Sequence, residues 1–214
     1  LLSDWFKHVP PEILAKNFGV AVDAVQPTPS PEDEYIFPGT SVDEKAALNF
    51  DAPKTPLKYS YHLLETEPVT TRGGKVWIAD SSSFNVSKTI AAALVELEPG
   101  AMRELHWHTN NDEWQYYLEG KGRMGVFAGK GQARTFDFKA GDVGYVPFAM
   151  GHYIENTGDT PLRFFELFKS DYYADVSLKQ WLSLTPPQLV KDHLKLGPQF
   201  MLALTSGQKT PIVK

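Results

Sequence analysis

The chain contains no cysteine, which excludes disulfide staples and thiolate chemistry but does not identify a compartment. It has no apolar run approaching the roughly 18 residues that a membrane-crossing helix needs. Basic residues are outnumbered, with 21 Lys and Arg against 26 Asp and Glu, and the formal net charge is -5. With no basic cluster, nucleic acid and anionic membrane are unfavourable partners, because both recruit proteins through positive patches. What remains is a soluble globular composition: 214 residues, 42% hydrophobic and 13% aromatic. That is enough to bury one substantial core with extensions.

The sequence starts at Leu1 rather than Met, and no signal-peptide pattern precedes the first helical segment. Residues Asp4 to Leu14 are echoed by Gln180 to Val190 at a constant offset of 176, each stretch carrying Trp-x4-Pro-Pro. A helical tail that follows a barrel and also stands at the start implies half of a duplication, its first residues being the tail of a preceding barrel. Chance recurrence in two amphipathic helices is the alternative. Pro10-Pro11 and Pro186-Pro187 suit the first turn of a helix, and Thr185 can cap the second, so helices are expected near 11–18 and 187–195. Residues 21–57 are proline-rich and acidic with little periodicity, reading as an extended arm over the surface or an oligomer contact.

From Lys58 to Phe168 the texture changes to short strands separated by turn signals: Thr71-Arg72-Gly73-Gly74, Glu98-Pro99-Gly100, Gly129-Lys130-Gly131 and Asn156-Thr157-Gly158-Asp159. Ile90 to Val95 and Gly144 to Val146 read as core strands. The fold class is therefore all-β with flanking helices, an antiparallel jelly-roll β-barrel with helical segments at both termini. The expected divisions are 1–57, helix and arm; 58–170, barrel; and 171–214, C-terminal helical segment.

The chemistry concentrates in Gly100 to Gly120, GAMRELHWHTNNDEWQYYLEG. His106 and His108 are two apart, so on a strand they share a face while Trp107 points away. Glu113 follows after a short turn, at the start of a returning strand. His152, in GDVGYVPFAMGHYIEN, adds a fourth donor from another strand. A lone HxH has little specificity, but the joint pattern of glycines, HxH, Glu and a later Gly-Pro-His-Asn block is specific to a metal site. Three imidazoles and a carboxylate leave a six-coordinate divalent ion two open positions. Manganese or iron suits that set, with zinc the main competitor.

Leu162 to Phe168 is an apolar strand interrupted by one acid, and alternation puts Glu166 on the face of Phe164 and Phe168. On a barrel-lining face, desolvation raises such a carboxyl and makes it a proton donor. The alternative is an outward, solvated carboxylate.

The two blocks resemble the two motifs of the cupin superfamily, and EPGAMRELHWH, EWQYY and AGDVGYVPFAMGHY resemble the C-terminal half of bicupin oxalate decarboxylases. Two departures stand out: Ala149 where the general motif has glycine, and Thr109 where relatives often have proline. The resemblance implies a Mn(2+) site, dioxygen as co-reactant, and oxalate split into formate and carbon dioxide. It also implies trimers stacked into hexamers, and an inward Arg103 holding the far carboxylate of the substrate. A guanidinium fork suits a carboxylate better than lysine, and an acidic chain cannot steer in a dianion by its global charge. Simple alternation puts Arg103 opposite His106, so a bulge or bend near Gly100 is required. Two further functions share the same ligands: an oxalate oxidase releasing hydrogen peroxide, and a non-catalytic metal-bearing half, since turnover in such bicupins is generally credited to the other half. Trp107, turned out of the barrel, is a candidate interface anchor, the alternative being a Trp packed under the arm or a terminal helix.

Overall fold

The structure, a computed structural model, describes residues 2–25, 39–41, 43, 45–46, 55–204 and 209–214. The expected arm over residues 21–57 therefore lies largely outside the described residues. The chain divides into two compact units, residues 1–54 and 55–214.

In the first unit, α1 spans Leu2–Lys7 and α2 spans Pro11–Phe18, followed by a 3-10 turn at Val22–Val25. Pro11 starts α2 where a missing N–H is harmless, and Gly19 ends it in the left-handed region at φ 67°, its N–H bonding back to the Ala15 carbonyl. Phe6 and Phe18 stack with ring centroids 5.9 Å apart, tying the two helices together.

The second unit carries the strands. In chain order they are β1 Val69–Thr71, β2 Gly74–Ala79, β3 Ala91–Leu97, β4 Met102–Trp107, β5 Glu113–Glu119 and β6 Lys121–Gly129. The remainder are β7 Gln132–Lys139, β8 Val143–Val146, β9 Gly151–Asn156, β10 Leu162–Phe168, β11 Val176–Ser177 and β12 Ile212–Val213. Three helices, α3 Leu178–Leu184, α4 Pro187–Leu194 and α5 Pro198–Ala203, lie between β11 and β12. One sheet runs β1-β2-β3-β10-β5-β8 and the other β11-β4-β9-β6-β7, with β12 also on β4. All of these pairings are antiparallel. The core draws on both sheets, with Val95, Tyr117 and Phe164 from the first and Met124, Ile154 and Ile212 from the second. This is the expected β-sandwich barrel with flanking helices.

Strand parity decides what enters it. On β5, Glu113, Gln115 and Tyr117 are buried while Trp114 and Tyr116 face out. On β10, Leu162, Phe164, Glu166 and Phe168 are buried alternately with less buried neighbours. Period-two alternation thus delivers polar groups into an apolar interior at chosen depths.

Two local expectations need correction. Ile90 precedes β3 and is exposed, so the core strand starts at Ala91. Thr185 does not cap α4; it ends α3, its hydroxyl donating to the Trp181 carbonyl at 2.9 Å. Pro186 takes the N-cap position of α4 with no side-chain bond. Two consecutive helices share this corner, and Thr185 satisfies the orphaned carbonyl of the earlier one. The echoed segments do form matching helices: α2 and α4 both have eight residues, an initial proline and a left-handed C-cap, Gly19 and Lys195. No helix among the described residues is long and apolar enough to cross a membrane.

Candidate metal centre

His106 and His108 come from β4 and the residue after its end, Glu113 from the start of β5 and His152 from β9. Each is buried, and one donor atom from each lies within 4.8 Å of every other. Backbone carbonyls orient the rings. Nδ1 of His106 donates to the Glu104 carbonyl at 2.6 Å, that of His108 to Ala174 at 2.7 Å, and that of His152 to Met150 at 3.0 Å. A carbonyl can only accept, so each ring carries its proton on Nδ1 and presents an Nε2 lone pair to the interior.

Those three Nε2 atoms and Glu113 Oε2 are buried without a hydrogen bond. Glu113 Oε2 lies 2.9 Å from His108 Nε2 and 2.8 Å from His152 Nε2, yet neither contact has hydrogen-bond geometry. Four buried, orphaned donors converging on one point fit a cation, since burying them unpaired is otherwise strongly unfavourable. Glu113 Oε1 is engaged separately, accepting from Gln115 Nε2 at 2.6 Å.

The electrostatics suit the same occupant. Burial, reinforced by Arg103, holds the His106 imidazole well below its ordinary value and therefore neutral. At His108 burial also lowers the pKa, but the Glu113 carboxylate outweighs it and the net shift is upward. Burial alone would raise Glu113; the facing His152 and His108 reverse this and hold it well below the usual range.

The β4 bulge settles where Arg103 points. Arg103 pairs with Ile154 and His106 with His152, so three steps on β4 match two on β9. One extra residue turns Arg103 to the His106 face. The irregularity falls at Glu104–Leu105 rather than near Gly100, and Glu104 instead accepts from the Ser177 hydroxyl at 2.6 Å.

Arg103 and Glu166 are both fully buried and meet at 3.4 Å through Nε and Oε1. Arg103 also donates through Nη1 to the Pro211 carbonyl at 3.0 Å, and through Nη2 to Tyr173 and Asp175, both at 2.6 Å. Lys209 pairs with the other oxygen of Asp175. The Tyr173 hydroxyl donates to Glu166 Oε2 at 2.9 Å. Burial raises the Glu166 carboxyl, Arg103 opposes it, and the net shift is upward. For Asp175, Arg103 and Lys209 overcome burial and lower it. A cavity of about 180 Å³ reaches Arg103, Tyr173, Asp175 and Lys209. The larger hollow of 590 Å³ lies among α3, α4 and α5, away from these groups.

All six sequence-predicted site residues are thus buried, four in one donor group and two in contact with each other. Sequence reasoning missed Gln115, Tyr117, Tyr173 and Asp175. The first two share Glu113's strand parity and were legible; the others lie in an aperiodic segment after β10, where no pattern signals orientation.

A family model described as cupin matches residues 61–201. The chain is 55% identical over 217 residues to oxalate decarboxylase OxdC of Bacillus subtilis, covering 100% of this chain and 55% of that protein. A probable oxalate decarboxylase of Arthroderma benhamiae is 44% identical over 193 residues, 88% of this chain and 47% of its own length. A solved Bacillus subtilis oxalate decarboxylase, studied for its Mn(II) centres, matches with a TM-score of 0.92 at 54% identity, over 100% of this chain and 56% of that one. The chain spans about half the length of the curated relatives it matches.

Proposed function

The chain belongs to the cupin family, and we propose that it is the manganese-bearing C-terminal half of an oxalate decarboxylase. The observation that carries this reading is the convergence of four orphaned donors next to a buried arginine and a buried acid. His106, His108, Glu113 and His152 would hold Mn(2+), although iron or zinc could take the same donors. When bound, the metal supplies positive charge for an oxalate oxygen and a one-electron redox centre, with dioxygen as co-reactant.

The chain's own groups do the rest. Oxalate and one proton give formate and carbon dioxide, so the reaction needs a cationic anchor and a proton donor. Arg103 anchors the far carboxylate, its fork matching two oxygens. Glu166, whose carboxyl burial shifts upward against the opposing Arg103, is the group placed to return the proton to the carbon left when carbon dioxide departs. Tyr173 links the two, accepting from Arg103 and donating to Glu166, and so holds the carboxyl in one orientation. The apolar ring of Phe168, 4.6 Å from the His108 ring, keeps water from this side of the donors.

One observation favours a second reading, a metal-bearing structural half. Arg103 already makes four hydrogen bonds within the protein, and a substrate carboxylate has to displace Asp175 or Tyr173 to gain a fork. Metal analysis of the purified chain with a formate and peroxide assay on oxalate separates the possibilities. One equivalent of manganese with formate supports the decarboxylase, and peroxide in place of formate indicates an oxidase. Metal without turnover, while a chain carrying both halves is active, establishes the structural role.

A further inference from the structure

On the inner face of β5, positions 113, 115 and 117 form a polar relay in a single direction. The Tyr117 hydroxyl donates to Gln115 Oε1 at 2.8 Å, and Gln115 Nε2 donates to Glu113 Oε1 at 2.6 Å. All three side chains are buried. Tyr117 is fixed between two rings, stacking on Phe138 at 4.6 Å and Phe164 at 5.3 Å. The Glu113 carboxylate, which can only accept, determines the amide orientation: it takes Nε2, and Oε1 is left to accept from the Tyr117 hydroxyl. From the other side β8 confines the amide: Gly144 pairs with Gln115, and a Cβ there would stand 2.5 Å from Gln115 Oε1.

We propose that Gln115 is a positioning residue that holds Glu113 Oε1 out of the donor group, so that Glu113 offers the metal one oxygen and a coordination position stays free for substrate. The inference rests on the metal reading above. A buried carboxylate oxygen without a partner turns toward the nearest cation, because leaving it unpaired is unfavourable. With Gln115 present Oε1 has its partner, and only Oε2 joins the three imidazole nitrogens among the orphaned atoms. Without the amide, the same carboxylate can chelate, and chelation consumes one of the two positions that four donors leave on a six-coordinate ion.

The test counts exchangeable water on bound Mn(2+) by water-proton relaxation, with the manganese EPR spectrum as a second readout. Wild type is expected to carry about two exchangeable waters, from six positions less four donors. Gln115→Leu, which keeps the volume and removes the amide, is expected to lose one, roughly halving the inner-sphere enhancement and changing the EPR fine structure. Gly144→Ala pushes the amide from the opposite strand and is expected to act in the same direction; it carries the test if Gln115→Leu does not fold. Manganese-loaded variants with the wild-type water count and spectrum overturn the positioning role while leaving the metal site intact. A wild-type chain that takes up no metal overturns the metal reading itself, and this inference with it.

Discussion

Glu166 sits where two influences on a carboxyl oppose each other: burial favours the neutral acid, and Arg103 at 3.4 Å favours the anion. The net shift is upward, the direction that the proposed role as proton donor requires. Glu166→Gln preserves volume and can still meet Arg103 and Tyr173, but it has no exchangeable acid. In a chain that turns over oxalate, formate production should fall by about 10²-fold or more with metal content unchanged, as elemental analysis would check. A fall in formate matched by a rise in peroxide would show that oxidation survives and only protonation is lost. Unchanged turnover would exclude the role. His106→Ala and Glu113→Ala should each abolish stoichiometric metal uptake. Uptake by wild type should also weaken on acidification. His108, raised by Glu113, keeps a proton up to a higher pH than an ordinary histidine. Above that raised pKa the ring is neutral and free to bind; below it the metal must displace a proton, and affinity drops roughly tenfold per pH unit for each proton displaced. Manganese titrations between about pH 5 and 8 measure this slope, and a flat profile contradicts it.

Elements were legible in proportion to how strictly their pattern repeats. Alternation on β10 put Glu166 on the face of Phe164 and Phe168, and that face is the buried one; Glu113, chosen for its spacing after His106 and His108, is buried at the start of β5. The β4 bulge was inferred only as a necessity, because a single extra residue leaves no compositional mark, and its position came out four residues beyond Gly100. Tyr173 and Asp175 were invisible for a related reason: they belong to a non-repeating connection whose side chains are aimed by the partners they reach. Ala149 is a departure that the backbone exposes. It stands between β8 and β9 at φ 60°, the left-handed region, while its N–H donates to the His108 carbonyl at 3.2 Å. An L-residue there is strained by about 1–2 kcal/mol, which glycine avoids at some entropic disadvantage in the unfolded chain. Ala149→Gly should therefore raise stability by about 0.5–1 kcal/mol, a gain of roughly 1–4 °C in melting temperature for a domain of this size. A fall in melting temperature would mean that the surrounding turn tolerates the alanine without strain.

Across the whole molecule, the helix pairs α1–α2 and α3–α4 repeat in register, which supports reading the first unit as the counterpart of the C-terminal tail. Each pair also exposes its tryptophan, Trp5 at 66% and Trp181 at 56%. Of the two readings of Trp107, interface anchor or packing under a terminal helix, the second holds: it is half-buried with its ring edge-on to Trp181 of α3 at 5.9 Å. Trp181 is the more exposed of the two tryptophans, and with exposed Leu105 and Phe127 it lines an apolar hollow of 530 Å³ on the β4-β9-β6 sheet. A continuous apolar surface of this kind is unfavourable in water and is usually covered by a partner. A second copy of the chain is the occupant we expect, in line with the trimer or hexamer that the resemblance implied. Phe127, 56% exposed on β6 and lining the hollow, can be changed without touching the Trp107–Trp181 contact. Phe127→Glu should shift light-scattering mass toward monomer at micromolar concentration while leaving metal content intact, because a desolvated charge at an apolar contact is strongly disfavoured. Wild type that is monomeric throughout this range would show that the hollow is not a self-association surface.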